Sequence, residues 1–499
     1  MPELPDGEQA PPDGSLPDPG VHGGFAAYVH IPFCAVRCGY CDFNTYTNLR
    51  MGPGASVDDF PGSLAGEIAL SRRVLRGEGR LLDTAFFGGG TPTMLDPGQL
   101  GGVLAALDSA FGLRAGAEVT TEANPESVSR DSLLRLADAG FTRVSFGMQS
   151  AVGSVLAALD RRHTPGQVER AVAWARQAGL DVSVDLIYGA PGETMGQWRR
   201  SVDAALAFEP DHVSAYALTV EPGTRMGAQA ARGRIRLPDP DELADKYEAA
   251  DEALTASGYR WYEISNWARP GRECRHNAVY WRSGNWWGYG PGAHSHINGT
   301  RFWNVKHPLA YARRIGAGES PAAARETLTA AERRREDVML GIRLREGIDE
   351  AVVGGHAQGR GQGGQVGERG ARAGHAGVDL DVDAGRAADL SGCGADVGKD
   401  PRPRDGQVDV GLDRGREIRG RGGDPREDGR VGSGDRGLVE ATAQREGLGQ
   451  LGDTQPVGAT VQGSAGDWDP QSTGRKPRLR RAYSEGPRHT RRGAHHHLR

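Results

Sequence analysis

Cys34, Cys38 and Cys41 fall within eight residues of one another, in the segment YVHIPFCAVRCGYCDFNT. Three thiolates at C-x3-C-x2-C spacing can each take one iron of a [4Fe–4S] cubane, which leaves the fourth iron open to a small chelating ligand. Structural zinc and free reactive thiols are the other chemistries such a loop can support. A closed zinc site, however, wants four protein ligands, and no fourth Cys or close His completes the set. Further along, Gly88-Gly89-Gly90-Thr91-Pro92-Thr93 exposes backbone without Cβ obstruction, as is needed where a ligand approaches the main chain. A tight loop between strand and helix would use the same residues. Glu122, in TTEANPES, is a carboxylate acceptor, although such strand-end acids also serve as helix-cap partners.

Positioning these groups requires a scaffold, and the hydrophobic pattern supplies one. Strand-length apolar runs occur at 25–31, 84–87, 117–123, 143–148, 182–189 and 212–218. Between them, 60–76, 97–111, 128–139, 166–179 and 195–207 carry the apolar spacing of helices with one buried face. Regular β–α alternation predicts an α/β fold with a parallel sheet and outer helices, and six units suit a partial (β/α)6 barrel better than a closed eight-stranded one. Chemistry in such folds gathers at the C-terminal ends of strands. The cysteine loop, the glycine run, Glu122 and Gln149 all sit there, and Asp185 lies within the fifth run.

Composition bounds the rest. Gly accounts for 75 of 499 residues, and residues 351–499 hold 33 of them with only Trp468 and Tyr483 as aromatics. A core cannot be built from that, so 348–499 reads as a low-complexity tail, disordered or translated out of frame. Residues 1–24 read as a disordered leader and 25–235 as the barrel core. Residues 236–347 read as a smaller α/β domain cut short at its end. A net charge of −5 gives no field that argues for nucleic acid or an anionic membrane. The acidic, Pro-rich N-terminus has no apolar h-region, and no run of about 18 apolar residues follows. A cytoplasmic protein without a transmembrane segment is expected. With three of its five Cys in one short loop, the chain has no disulfide framework, and metal ligation in a reducing compartment is the better use of them.

The cysteine loop, with an aromatic residue before its last Cys, resembles the signature of the radical S-adenosylmethionine (SAM) superfamily. The strings YVHIPFC, FFGGGTPT, TTEANPE, RVSFGMQS, VDLIYGAPGET, YEISNWARPG, CRHNAVYW and GYGPGAHS are similar to its oxygen-independent coproporphyrinogen III oxidase group. That resemblance implies a [4Fe–4S] cluster on Cys34, Cys38 and Cys41, with the amino and carboxylate groups of SAM on the open iron. Electron transfer then cleaves SAM to methionine and a 5′-deoxyadenosyl radical. It implies SAM contacts at Tyr28, Tyr40, Gly89, Gly90, Thr91, Glu122, Gln149, Arg161 and Asp185, and a C-terminal domain of the HemN type over 236–347. An electron donor such as flavodoxin or ferredoxin is implied as well.

The group contains dehydrogenases that decarboxylate two propionates of coproporphyrinogen, and a HemW branch of haem chaperones that pass haem to respiratory proteins. The dehydrogenases resemble C-x3-C-x2-C-x-C and carry a longer N-terminal arm, whereas this chain has Phe43 at the fourth position and a short leader. The chaperone-type H-N-x-x-Y-W is present as His276, Asn277, Tyr280 and Trp281. The expected function is therefore haem binding and delivery. Coproporphyrinogen oxidation, which would make the chain an enzyme of porphyrin biosynthesis, and a non-functional frameshifted product remain the alternatives. His276, Tyr280 and Trp281 are the candidate haem contacts. Cys274 is a rival ligand, Trp286, Trp287 and Tyr289 could stack on a porphyrin, and a hydrogen-bonded structural His and ordinary aromatic core are the plainer readings.

Overall fold

A computed structural model describes residues 5–76 and 80–349. The tail expected at 348–499 lies, from residue 350 onward, outside the described residues. A two-residue strand β1 (Glu8–Gln9) is followed by β2 (Phe25–Ile31), β3 (Leu82–Gly89), β4 (Leu113–Ala123), β5 (Arg143–Gln149), β6 (Asp181–Tyr188) and β7 (His212–Ala217). The last six are the apolar runs read from the sequence, and they pair in parallel in chain order. Every residue of β2 is buried, as expected of a parallel strand covered on both faces.

Helices α1 (Phe60–Val74), α2 (Pro97–Phe111), α3 (Arg130–Asp138), α4 (Gly153–Ala158), α5 (Pro165–Gln177) and α6 (Met195–Ala207) fill the crossovers. Their starts are written locally. At α2, Asp96 accepts from Gly98 N at 2.8 Å while Gln99 accepts from Asp96 N at 2.9 Å, a capping box followed by Pro97 at the first turn. Thr194 and Gln197 repeat the device at α6. Large side chains such as Phe87, Phe146 and Trp198 are fully buried in one cluster under these helices, each stabilising the fold by roughly 1.5–3 kcal/mol.

A short helix α7 (Arg225–Ala231) leads out of the core, and the second region comprises α8 (Pro240–Ala256), β8 (Arg260–Glu263), β9 (Asn266–Ala268), α9 (Arg275–Trp281), β10 (Asn285–Tyr289), β11 (His294–Ile297), β12 (Thr300–Asn304), α10 (Pro308–Gly316), β13 (Ala322–Thr327) and α11 (Ala330–Gly341). Its strands extend the barrel sheet at both edges, giving the order β1-β13-β12-β11-β10-β2-β3-β4-β5-β6-β7-β9-β8. β10 pairs in parallel with β2, Asn285–Tyr289 opposite Phe25–Val29, so the strand that leads into the cysteines is an interior one. Trp286, Trp287 and Tyr289 are thus strand residues, and Trp287 and Tyr289 are buried.

The leader differs from expectation. Glu8 and Gln9 pair antiparallel with Arg325 and Ala324, and Ser320 N donates to Pro12 O at 2.6 Å. A segment whose partner strand comes some three hundred residues later shows no local periodicity, which is why composition alone read it as disordered.

Candidate functional site

The C-terminal ends of the parallel strands enclose a cleft whose empty volume, open mouth included, is about 930 Å³. Cys34, Cys38 and Cys41 line it together with Tyr40, Gly89, Gly90, Thr91, Glu122, Gln149, Arg161 and Asp185. Five separate strand ends thus converge as the sequence pattern predicted. Tyr28 does not: it is buried in β2, with its hydroxyl 3.1 Å from His30 Nδ1 and its ring stacked on Phe86.

The glycine run has a structural job beside any ligand. Gly90 N donates to Ile31 O and Thr91 N to Phe33 O, each at 2.8 Å, which seals the run against the strand entering the cysteine loop. A Cβ on Gly90 would lie 2.6 Å from Phe33 O and 3.1 Å from Cys34 Sγ, and Gly89 sits at φ +103, so neither position tolerates a side chain. Gly89 N donates to Glu122 Oε2 at 3.0 Å.

Burial and the neighbouring Asp185 push Glu122 up to about 8, while burial raises Asp185 to about 6 against the hydrogen bonds of Ser214 and Ser145. Both carboxyls are thus held above the ordinary carboxylate range, and both line the same cleft. Gln149, at φ +62 where the β5–β6 register shifts, has a buried Oε1 with no partner, and Arg161 Nε is likewise unpaired. Unpaired buried polar atoms are uncommon, and these two stand beside the cleft.

Burial lifts the Cys34 thiol to about 11 and Cys41 to about 12, so both are protonated until a cation takes them. Among the described residues no three His, Cys, Asp or Glu side chains are gathered around a single ion. A cubane, which takes one thiolate per iron, makes no such demand. The sulfurs also have donors: Thr91 Oγ1 lies 3.7 Å from Cys34 Sγ and Arg161 Nη1 3.7 Å from Cys38 Sγ. The set fits an iron–sulfur cluster with a polar ligand beside it.

Sequence reading missed Asn124, Ser145 and Tyr216, which also line the cleft. Asn124 precedes Pro125 and looks like a turn residue, and Ser145 and Tyr216 are inward positions of strands whose two faces are both apolar enough to conceal them. Phe43, the position without a fourth Cys, lines the cleft as well.

The expected haem contacts are elsewhere. His276 is 1% exposed, with Nδ1 2.7 Å from Thr84 Oγ1 and Nε2 2.7 Å from Tyr280 Oη, and its ring stacks on Phe86 at 5.1 Å. Both nitrogens are taken, and burial lowers its pKa to about 3. Tyr280 and Trp281 are each 8% exposed. The structure places these three in the core, where α9 packs its H-N-x-x-Y-W face against the sheet. Cys274 is buried too, its thiol donating to Glu118 Oε1 at 3.5 Å.

Comparison with known proteins agrees with this site. The Radical SAM superfamily profile matches residues 28–205. The chain is 48% identical over 349 residues to "Heme chaperone HemW" of Mycobacterium tuberculosis, covering 69% of this chain and 88% of that protein. It is 35% identical to the Bacillus subtilis protein of the same name, covering 65% and 85%. Among solved structures, coproporphyrinogen III oxidase (HemN) from Escherichia coli superposes with a TM-score of 0.59 at 26% identity, over 68% of this chain and 79% of that one. No described helix is long and apolar enough to cross a membrane. An α/β sheet of this topology, three cysteines at the mouth of its cleft and this identity across most of a curated relative together make the chain a member of the HemW family of the radical SAM superfamily.

Proposed function

We propose that this chain is a haem chaperone that binds haem and delivers it to a haem-requiring respiratory protein. The observation that carries the reading is 48% identity to a protein named heme chaperone HemW across 88% of its length. We assign Cys34, Cys38 and Cys41 as ligands of a [4Fe–4S] cluster and the cleft beside them as the SAM site. Residues 25–235 form its core domain and 236–347 a C-terminal domain of the HemN type. Such a cluster, when bound, supplies one electron for cleavage of SAM and draws it from a reductant such as flavodoxin or ferredoxin.

The chain's own groups provide the rest. Gly89, Gly90 and Thr91 offer backbone at the cluster's edge, and Glu122 and Asp185 present carboxyl groups to the polar groups of SAM. Gln149 and Arg161 line the cleft, and Tyr40 walls off water beside Cys38. Four free cysteines among the described residues suit a reducing cytoplasm.

The likeness to coproporphyrinogen III oxidase favours a second reading, oxidative decarboxylation of coproporphyrinogen. Phe43 in place of a fourth cysteine, at the cleft wall, weighs against it. Two assays on anaerobically reconstituted protein decide: haem titration followed at the Soret band, and turnover of coproporphyrinogen III with SAM and a reductant. Saturable haem binding without vinyl product is expected. Vinyl product at catalytic rates overturns the chaperone.

A further inference from the structure

Asn124 ends the turn out of β4, and its side chain lies between the two donors that reach cysteine sulfur. Its Nδ2 is 3.0 Å from Thr91 Oγ1, and its Oδ1 accepts from Arg161 Nη2 at 2.6 Å. The direction of this chain of bonds is forced. Arginine has only donors, so the amide oxygen must face Arg161 and the NH2 must face Thr91. Thr91 Oγ1 is then occupied as an acceptor, and its single hydrogen is left for Cys34 Sγ at 3.7 Å.

On the other side, Arg161 Nη2 is shared between Asn124 Oδ1 and Gly147 O, the latter at 2.9 Å. Two acceptors fix the guanidinium plane and aim Nη1 at Cys38 Sγ, 3.7 Å away. Gly147 leaves room for the arrangement, since a Cβ there would lie 2.9 Å from Gln149 Nε2 and 3.2 Å from Arg161 Nη2.

We propose that Asn124 is a positioning residue that sets the direction of the hydrogen bonds received by the Cys34 and Cys38 sulfurs, and thereby raises the cluster's reduction potential. This rests on the cluster ligation proposed above. Donors to cluster sulfurs stabilise the more negative, reduced state, and their loss lowers the potential.

The test is an EPR-monitored redox titration of reconstituted protein without SAM, with iron and sulfide quantified in every variant. Asn124→Leu and Thr91→Val should keep a full cluster and shift its midpoint to more negative potential, and Thr91→Ser should restore the wild-type value. Because Asn124 acts partly through Thr91, Asn124→Leu should shift the potential less in the Thr91→Val background than alone. A wild-type midpoint in cluster-replete Asn124→Leu, or fully additive shifts, overturns the proposal. Should Asn124→Leu load poorly, Asn124→Asp replaces it: the carboxylate still accepts from Arg161 but draws the Thr91 hydrogen away from Cys34. Adding Thr91→Val to Asn124→Asp should then change nothing further, and a further drop overturns the proposal. A wild-type protein that assembles no [4Fe–4S] cluster removes the ligation reading itself, and the iron analysis of that sample tells the two failures apart.

Discussion

Two polar regions of this molecule carry candidate functional residues in the sequence, and the fold uses them differently. The cleft at the strand ends is lined by polar groups: Gln149 Oε1 and Arg161 Nε have no partner, and burial raises the carboxyls of both Glu122 and Asp185. Around His276 the polar groups pair with one another, with Thr84 and Tyr280 on the two ring nitrogens and Glu118 accepting from the His276 and Arg275 backbone. Residue type does not separate a site from a core. What separates these two is placement: one set of polar groups lines a cleft, the other pairs within the core.

The comparison breaks most visibly at the cysteines. Cys34→Ala, Cys38→Ala and Cys41→Ala should each abolish the visible absorption and EPR signal of the reconstituted cluster, whereas Cys274→Ala should leave both intact. Retention of the signal in all three loop variants would move the site elsewhere.

A closed polar core should betray itself in stability rather than in binding. His276→Gln leaves Thr84 or Tyr280 without its partner and should cost about 2 kcal/mol in urea unfolding, with haem affinity of the folded protein unchanged. Acid carries the same signature. Burial lowers His276 to about 3, His30 to about 4 and His212 well below its ordinary value, so the unfolded chain takes up protons on these rings before the folded one does. Their contribution is complete above about pH 6.5 and is lost as pH falls toward those folded-state values, at up to about 1.4 kcal/mol per pH unit for each ring. Urea unfolding at pH 7 and pH 5 should show that loss, and His276→Gln should make it shallower. A loss as steep as wild type in that variant would mean His276 is protonated in the fold.

Smaller effects sharpen the other side. Gln149→Ala should weaken SAM binding about tenfold, a change of about 1.4 kcal/mol by calorimetry. Tyr28→Phe should change it less than twofold, because the Tyr28 hydroxyl ends on His30 outside the cleft. A Tyr28→Phe loss equal to that of Gln149→Ala would put the phenol in the site.

Much of this was legible in the chain. The six parallel strands announced themselves through apolar runs, and the cysteine loop, glycine run and Glu122 through their place at strand ends. The failures share a cause. β10 reads as a ring-stacking platform because NWWGY has no alternation to mark it, and its identity as a strand depends on β2, far away in sequence. β1 depends on β13 in the same way. Asn124 was invisible because its meaning lies in a triangle with Thr91 and Arg161, which only the closed sheet brings together.

The tie between the cysteine loop and the second region also bears on when the loop takes shape. Asn44 Nδ2 donates to Pro291 O and to Lys306 O, both at 2.9 Å, and β10 covers the flank of β2. Contacts spanning some 250 residues close late, since loop-closure entropy must be met before they form, and a growing chain folds from its N-terminal side first. While the ribosome is still translating the region before Lys306, the thiols hang on a half-walled loop. Iron delivery that waits for the finished chain finds a rigid receptacle, whereas iron met earlier finds three loosely held sulfurs.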